Sequence, residues 1–313
     1  MGFTRLDAIN YLNIVCLLAS LVLAVYLPFE LFIFAYVILG PLHYLTEISW
    51  LYDRRFFTGS KTGWWYLLLP VVPVTVAHFT RYPYSHEVIT VLVAATLVLA
   101  GSMAISNRGS VHWAGGIIGC MVGWLLLSFD EYAVLLTALL PTLIHVYVFT
   151  GIFMVYGAIR TPSFSGFCAL GVFLLGPVVA LHLTTTPSPY EVSDQLLDAT
   201  LPFLSLQPLV QRALGLAGDR DGLIAFMRLL AFAYTYHYLN WFSKSEVIRW
   251  HKMPRGRAVG IVIAYVGAVG LYFYDFRAGF GALLALSIGH VVLELPLNVQ
   301  AVVGVFRGGK VPE

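Results

Sequence analysis

The sequence predicts an all-α fold: a polytopic membrane helix bundle of about ten transmembrane helices, with N and C termini cytoplasmic. Three observations carry that expectation. The 313 residues are 59% hydrophobic and only 11% charged, whereas a soluble domain needs about 25% charged residues to cover its surface. Apolar runs of roughly 20 residues, the length that crosses the hydrocarbon core as a helix, recur from end to end. The segments between them are short and hold Gly, Pro, Ser and most of the charge.

Taken in order, the first span at 7–27 has no small-residue cleavage site, so it reads as a retained helix and not a signal peptide. The next spans fall at 29–52, 63–81, 87–106, 111–129, 131–159 and 164–184. A long external loop, about 185–220, follows from Thr185-Thr186-Pro187. Its middle, Asp194 to Leu216, mixes Leu pairs with polar residues, as an interfacial helix or an irregular cap would. Spans at 221–243, 257–275 and 278–305 complete a single transmembrane domain, 1–313.

Basic residues set the orientation. With the N-terminus inside, thirteen of the 18 Lys and Arg residues are cytoplasmic. Arg81, Arg212, Arg220 and Arg277 are left outside, and Arg228 within a helix. An even number of spans returns the C-terminus to the same side. Cys16, Cys120 and Cys168 lie scattered in apolar runs with no CxxC pair, which signals neither a thiolate zinc site nor a disulfide framework. The net charge of +2 implies no nucleic-acid partner.

Ionisable residues inside the spans carry the chemistry. Each costs on the order of 3 kcal/mol at mid-membrane, so they persist where something needs them. The second span reads Gly40-Pro41-Leu42-His43-Tyr44-Leu45-Thr46-Glu47, and the last reads Gly289-His290-Val291-Val292-Leu293-Glu294-Leu295-Pro296. Both are His-x-x-x-Glu, which stacks imidazole over carboxylate on one helix face. His145 and His237 are further intramembrane histidines. All four histidines fall in the second half of spans running outside to inside, at compatible depths. Four imidazoles and two carboxylates make a ligand set for one or two transition-metal ions. Imidazole suits iron, zinc and copper, and admixed carboxylate favours non-heme iron or manganese over copper. The bland alternative for a lone histidine is a helix–helix hydrogen bond, and for a lone glutamate a protonated, paired side chain.

Other polar residues rank lower. Asn240, Tyr44, Tyr236 and His251 are candidates for supporting the ligands through hydrogen bonds or packing. His251 lies in the basic aromatic run Lys244–Lys252, which also reads as an interfacial anchor. His112 maps to the inner edge, and His78, His86 and His182 to the outer edge. Tyr147, Tyr234 and Tyr238 crowd the ligands as packing, or as an aromatic wall for a long unsaturated substrate. The last span has no lysine for a retinal Schiff base, and no Gly-x-Ser-x-Gly elbow occurs.

At His43 with Glu47, His237, and His290 with Glu294, the chain resembles the bacterial integral-membrane β-carotene dioxygenases of the Brp/Blh type. That family carries an early Gly-x-Pro-His-like motif with an acid four residues on, and a closing His-plus-acid pair in its last helix. Two departures stand out: glutamate replaces the family's aspartate, and its two closely spaced late histidines appear as His237 followed by Asn240. The resemblance implies an iron-dependent oxygenase more firmly than a carotenoid substrate.

The expected function is therefore a membrane-embedded non-heme iron oxygenase holding one or two Fe ions through His43, Glu47, His145, His237, His290 and Glu294. It would take dioxygen and a lipophilic substrate entering from membrane lipids, with any electron donor undefined. Carotenoid cleavage is the first specific expectation, and lipid desaturation or hydroxylation the second. The expected location is the bacterial inner membrane. An intramembrane zinc hydrolase of lipid amides or esters and a metal or proton transporter are the alternatives. No inverted repeat supports transport.

Overall fold

The computed structural model describes residues 4–58, 63–80, 85–129, 135–182, 190–216, 218–244 and 252–308. Every regular element among them is helical. The α-helices are α1 (Arg5–Tyr26), α2 (Pro28–Phe34), α3 (Gly40–Asp53), α4 (Trp65–Leu68), α5 (Val71–Thr80), α6 (Ser85–Ile105), α7 (Gly109–Leu126), α8 (Thr150–Arg160), α9 (Phe164–His182), α10 (Asp194–Thr200), α11 (Gln207–Leu214), α12 (Arg220–Ser243), α13 (Arg255–Tyr274) and α14 (Phe276–Phe306). A π-helical turn, Ala35–Leu39, joins α2 to α3, and a longer π-helical stretch, Leu135–Phe149, leads into α8.

Among the described residues eight helical stretches are long and apolar enough to cross a bilayer: Arg5–Tyr26, Pro28–Asp53, Ser85–Ile105, Gly109–Leu126, Thr142–Arg160, Phe164–His182, Arg255–Tyr274 and Phe276–Phe306. They coincide with eight of the ten expected spans. Large apolar side chains such as Trp113, Trp124, Phe164 and Phe273 lie open on their surfaces, a liability in water and the normal state in lipid. The chain is thus built as an integral membrane helical protein.

The other two expected spans differ in character. The 63–81 segment divides into α4 and α5 around Pro70, which has no N–H to return to the Tyr66 carbonyl. The 221–243 segment is one 24-residue helix, α12, whose residues from Gly222 to Asn240 are nearly all buried. Its neighbours are protein, so Arg228, His237 and Asn240 meet protein and not hydrocarbon. Its lower apolarity follows from that.

Helix packing gathers into two compact units. The first consists chiefly of Met1–Leu39 and Leu143–Trp250, and the second chiefly of Gly40–Thr142 and His251–Arg307. In the first, α12 is the hub, packed by α1, α2 and α9. Gly176 of α9 lets the Phe232 ring of α12 approach where any side chain would collide. Helix α1 starts with a capping box, Thr4 and Asp7 bonding each other's backbone N–H. Asp7 also accepts from Ser165 Oγ at 2.6 Å, tying α1 to the start of α9. The 190–216 segment is helical in short pieces, with α10 packed on α2 and α11 on α12. It is thus a helical cap and not irregular chain.

In the second unit α14 is the hub, packed by α3, α5, α6 and α13. Leu51, Phe56, Leu67, Ala100, Met103, Leu293 and Leu295 form a core that joins α3, α4, α6 and α14. Helices α6 and α7 meet along Gly115, Gly119 and Gly123, spaced by four residues on one face. Asp275 caps α14, its carboxylate accepting from the Ala278 N–H at 2.8 Å.

Candidate metal centre

The second unit supplies both His-x-x-x-Glu motifs. On α3, His43 and Glu47 are 1% and 2% exposed, with Nε2 and Oε2 3.0 Å apart. The expected i, i+4 stacking is realised. On α14, His290 and Glu294 are likewise buried. Because α3 packs on α14, the two motifs come face to face: the rings of His43 and His290 sit 5.3 Å apart at 78°. Tyr44, next to His43 and 1% exposed, lies flat on the His290 ring at 4.2 Å. It holds that imidazole from one side.

The first unit supplies the other two histidines. His145 lies in the π-helical stretch before α8, and His237 in the last two turns of α12. Both are buried, and their rings lie 5.0 Å apart at 67°. His237 Nδ1 is 2.8 Å from Thr150 Oγ1. Each unit therefore contains one buried imidazole pair of closely similar geometry.

Backbone departures accompany the candidate ligands. Pro41, two residues before His43, has no N–H to return to the Val37 carbonyl, and the Ala35–Leu39 π turn widens the helix there. Pro141 sits in the π-helical stretch four residues before His145. Pro296 follows Glu294 by two residues inside α14. Carbonyls near these breaks accept from threonines: Thr46 Oγ1 donates to the Leu42 and His43 carbonyls, and Thr150 Oγ1 to Val146.

Three of the buried histidines, His43, His237 and His290, offer ring nitrogens that all lie within 4.8 Å of one another, a group that could hold a metal ion. The chemistry of the donors fits. Imidazole nitrogen is a regular ligand of zinc and iron. The 3.0 Å between His43 Nε2 and Glu47 Oε2 also matches adjacent ligands, since two bonds of about 2.0–2.1 Å at a right angle span about 2.9 Å.

Asn240 is buried one turn past His237, its carbonyl accepting from Ser243 Oγ. Tyr236 points to α1 and α8, where its phenol donates to Asn13 Oδ1 at 3.3 Å and meets Met154 Sδ at 3.4 Å. That contact joins helices. His112 donates from Nε2 to the Ser106 carbonyl at 2.7 Å, closing the end of α6 onto α7. His86 and His182 are exposed. His251 lies outside the described residues, as does the side chain of His78. Two polar residues were not anticipated. Thr150 carries no motif and had no distinguishing sequence signal. Asn298, 0% exposed, donates from Nδ2 to Glu294 Oε2 at 3.3 Å. Its i+4 spacing from Glu294 was the available signal.

Fold and site thus define an all-helical membrane protein with a buried three-histidine group. Comparison with protein-family models, with curated proteins and with solved structures gives no match.

Proposed function

We propose that this protein is an integral-membrane non-heme iron oxygenase acting on a lipophilic substrate, with carotenoid cleavage as the first specific activity to test. The observation that carries the reading is the buried group His43, His237 and His290. Imidazoles in such number, buried with Glu47 and Glu294, are rare in a membrane interior and mark functional sites there. Mixed imidazole and carboxylate donors favour iron among the common ions, and His145 beside His237 would extend the set towards a second ion.

Iron with dioxygen as co-substrate would supply the oxidative chemistry. The chain's own part is to hold ligands and shape the surroundings. Glu47 orients His43, Tyr44 braces His290, and Asn298 orients Glu294. The buried helix α12 keeps water from His237. A substrate would enter laterally from lipid. This reading includes ten spans, both ends in the cytoplasm, and residence in a bacterial inner membrane, an arrangement in which all four histidines occupy the inner half of parallel helices.

A second reading has its own support: three imidazoles form a common ligand set of catalytic zinc, with the fourth position left for water. Elemental analysis of detergent-purified wild type and of His43→Ala/His290→Ala separates the two. Near-stoichiometric iron, lost in the double variant, supports the oxygenase, and expression in a carotenoid-producing host should then show bleaching and a retinal-type aldehyde. Zinc lost in the same way moves the assignment to a hydrolase of lipid amides or esters. Metal-free wild type that stays empty on reconstitution rejects both and favours transport.

A further inference from the structure

We propose that Thr150 is a positioning residue that fixes the tautomer of His237, placing the proton on Nδ1 and making Nε2 the metal-binding nitrogen. The proposal rests on the metal reading of His237 and adds to it a residue and an atom.

The single proton of the Thr150 hydroxyl decides the tautomer. Thr150 opens α8 and is 2% exposed. Its Oγ1 lies 2.9 Å from the Val146 carbonyl oxygen and 2.8 Å from His237 Nδ1. A hydroxyl has one proton to give, and a carbonyl oxygen can only accept. The bond back to the carbonyl four residues earlier is a regular habit of threonine in helices, so local geometry commits that proton to Val146. Oγ1 then faces Nδ1 with a lone pair. The 2.8 Å contact is a hydrogen bond only if Nδ1 bears the hydrogen. Neutral imidazole carries one N–H, so Nε2 keeps its lone pair. The opposite assignment sets two buried oxygens 2.9 Å apart with no proton between them, which costs a buried hydrogen bond.

The sequence explains why this hydroxyl is available. Thr150 stands where the π-helical stretch Leu135–Phe149 returns to α-helix, and α12 brings His237 alongside. The bond does two things before any ion arrives. It selects the nitrogen that can coordinate, and it stops rotation of the ring. Histidine ligands generally donate their other N–H to a fixed acceptor for this purpose, and loss of the acceptor weakens metal binding about 10–100-fold.

The test uses full-length protein in detergent. Metal-free protein labelled with ¹⁵N-histidine, with His237 assigned by difference against His237→Gln, should show a protonated Nδ1 and an unprotonated Nε2. Thr150→Ser should keep that signature, and Thr150→Val, of the same shape without the hydroxyl, should lose it. Chelator competition with Co(II) should give Thr150→Ser within about 3-fold of wild type and Thr150→Val weaker by about 10–100-fold. A proton on Nε2 in wild type, or equal Co(II) affinity in Thr150→Val, overturns the assignment. Wild type that binds no Co(II) overturns the metal reading itself, and this role with it. The tautomer measured without metal separates that result from failure of the assignment alone.

Discussion

Replacing Gly119 by alanine tests how the hub helix of the second unit is supported. Gly119 of α7 faces Ala95 of α6, and an added Cβ would lie 2.5 Å from the Ala95 Cα. Ordinary contact begins at 3.4 Å, so the backbones must separate by about 0.9 Å. The nearest atoms, Ala95 Cα and O and Ala94 O, are all backbone, and no side chain can swing aside. Overpacking of this kind costs about 1–3 kcal/mol, against up to about 1 kcal/mol gained when alanine replaces glycine in a helix. Gly116, three residues earlier on the same helix, has nothing within 4 Å of the corresponding position. Gly116→Ala therefore supplies the propensity gain without the clash, and the difference between the two variants isolates the steric cost. Thermal unfolding in detergent should place Gly119→Ala below Gly116→Ala by several degrees, at roughly 2–4 °C per kcal/mol. Because Ala100 and Met103 of α6 share a core with Leu293 and Leu295 beside Glu294, metal affinity should fall in the same variant. Equal melting temperatures would refute the close approach of α6 and α7.

Glu47→Gln keeps shape and replaces the carboxyl group opposite His43 Nε2 by an amide. Metal-free stability should stay within about 1 kcal/mol of wild type, since the amide can keep a hydrogen bond to the imidazole. Co(II) affinity by chelator competition should drop at least about 10-fold, and unchanged affinity would remove Glu47 from the ligand set. Asn298→Leu takes a buried donor from Glu294 Oε2 and should cost about 1–3 kcal/mol. Thermal unfolding reads the cost, and a neutral result would show the carboxylate is held by other groups. Outside the spans, burial and then the hydrogen bond donated to Glu30 push the Tyr190 phenol above its ordinary value of 10. A raised phenol pKa stabilises the folded state below the unfolded value and ceases to do so as pH climbs above it. The stability difference between wild type and Tyr190→Phe should accordingly be flat from pH 7 to about 10 and shrink at higher pH.

What was legible in the sequence follows from which forces act locally. Eight spans were readable because lipid contact imposes apolarity over a fixed length, whatever the packing. Helix α12 was readable as a helix, but its burial was not, since nothing in residues 221–243 says that the neighbours are protein. The break of 63–81 at Pro70 was available in principle: a proline inside an apolar run removes a helical N–H, and length alone concealed it. The His43–Glu47 pairing was legible because i, i+4 geometry is intrinsic to a helix. The meeting of His43 with His290 depended on α3 packing against α14, and only the shared motif hinted at it. Thr150 could not be found, because its role depends on which helix lies opposite.

The two π-helical segments explain the remaining gap and link fold to site. A strict 3.6-residue period would fix the rotation between the first half of each span and its ligands. Here the period is broken just before His43 and around His145, so the face that the preceding apolar residues predict does not carry over to these histidines. The breaks coincide with Pro41 and Pro141, whose missing N–H groups free carbonyls that an unbroken helix would use up. Close by, Thr46 and Thr150 donate to carbonyls of their own helices. Such a donor is spent, and its oxygen is left as an acceptor. At Thr150 that acceptor faces an imidazole N–H. The threonine and the tautomer of His237 then act together, and removing the hydroxyl should disturb the histidine while leaving the helix intact.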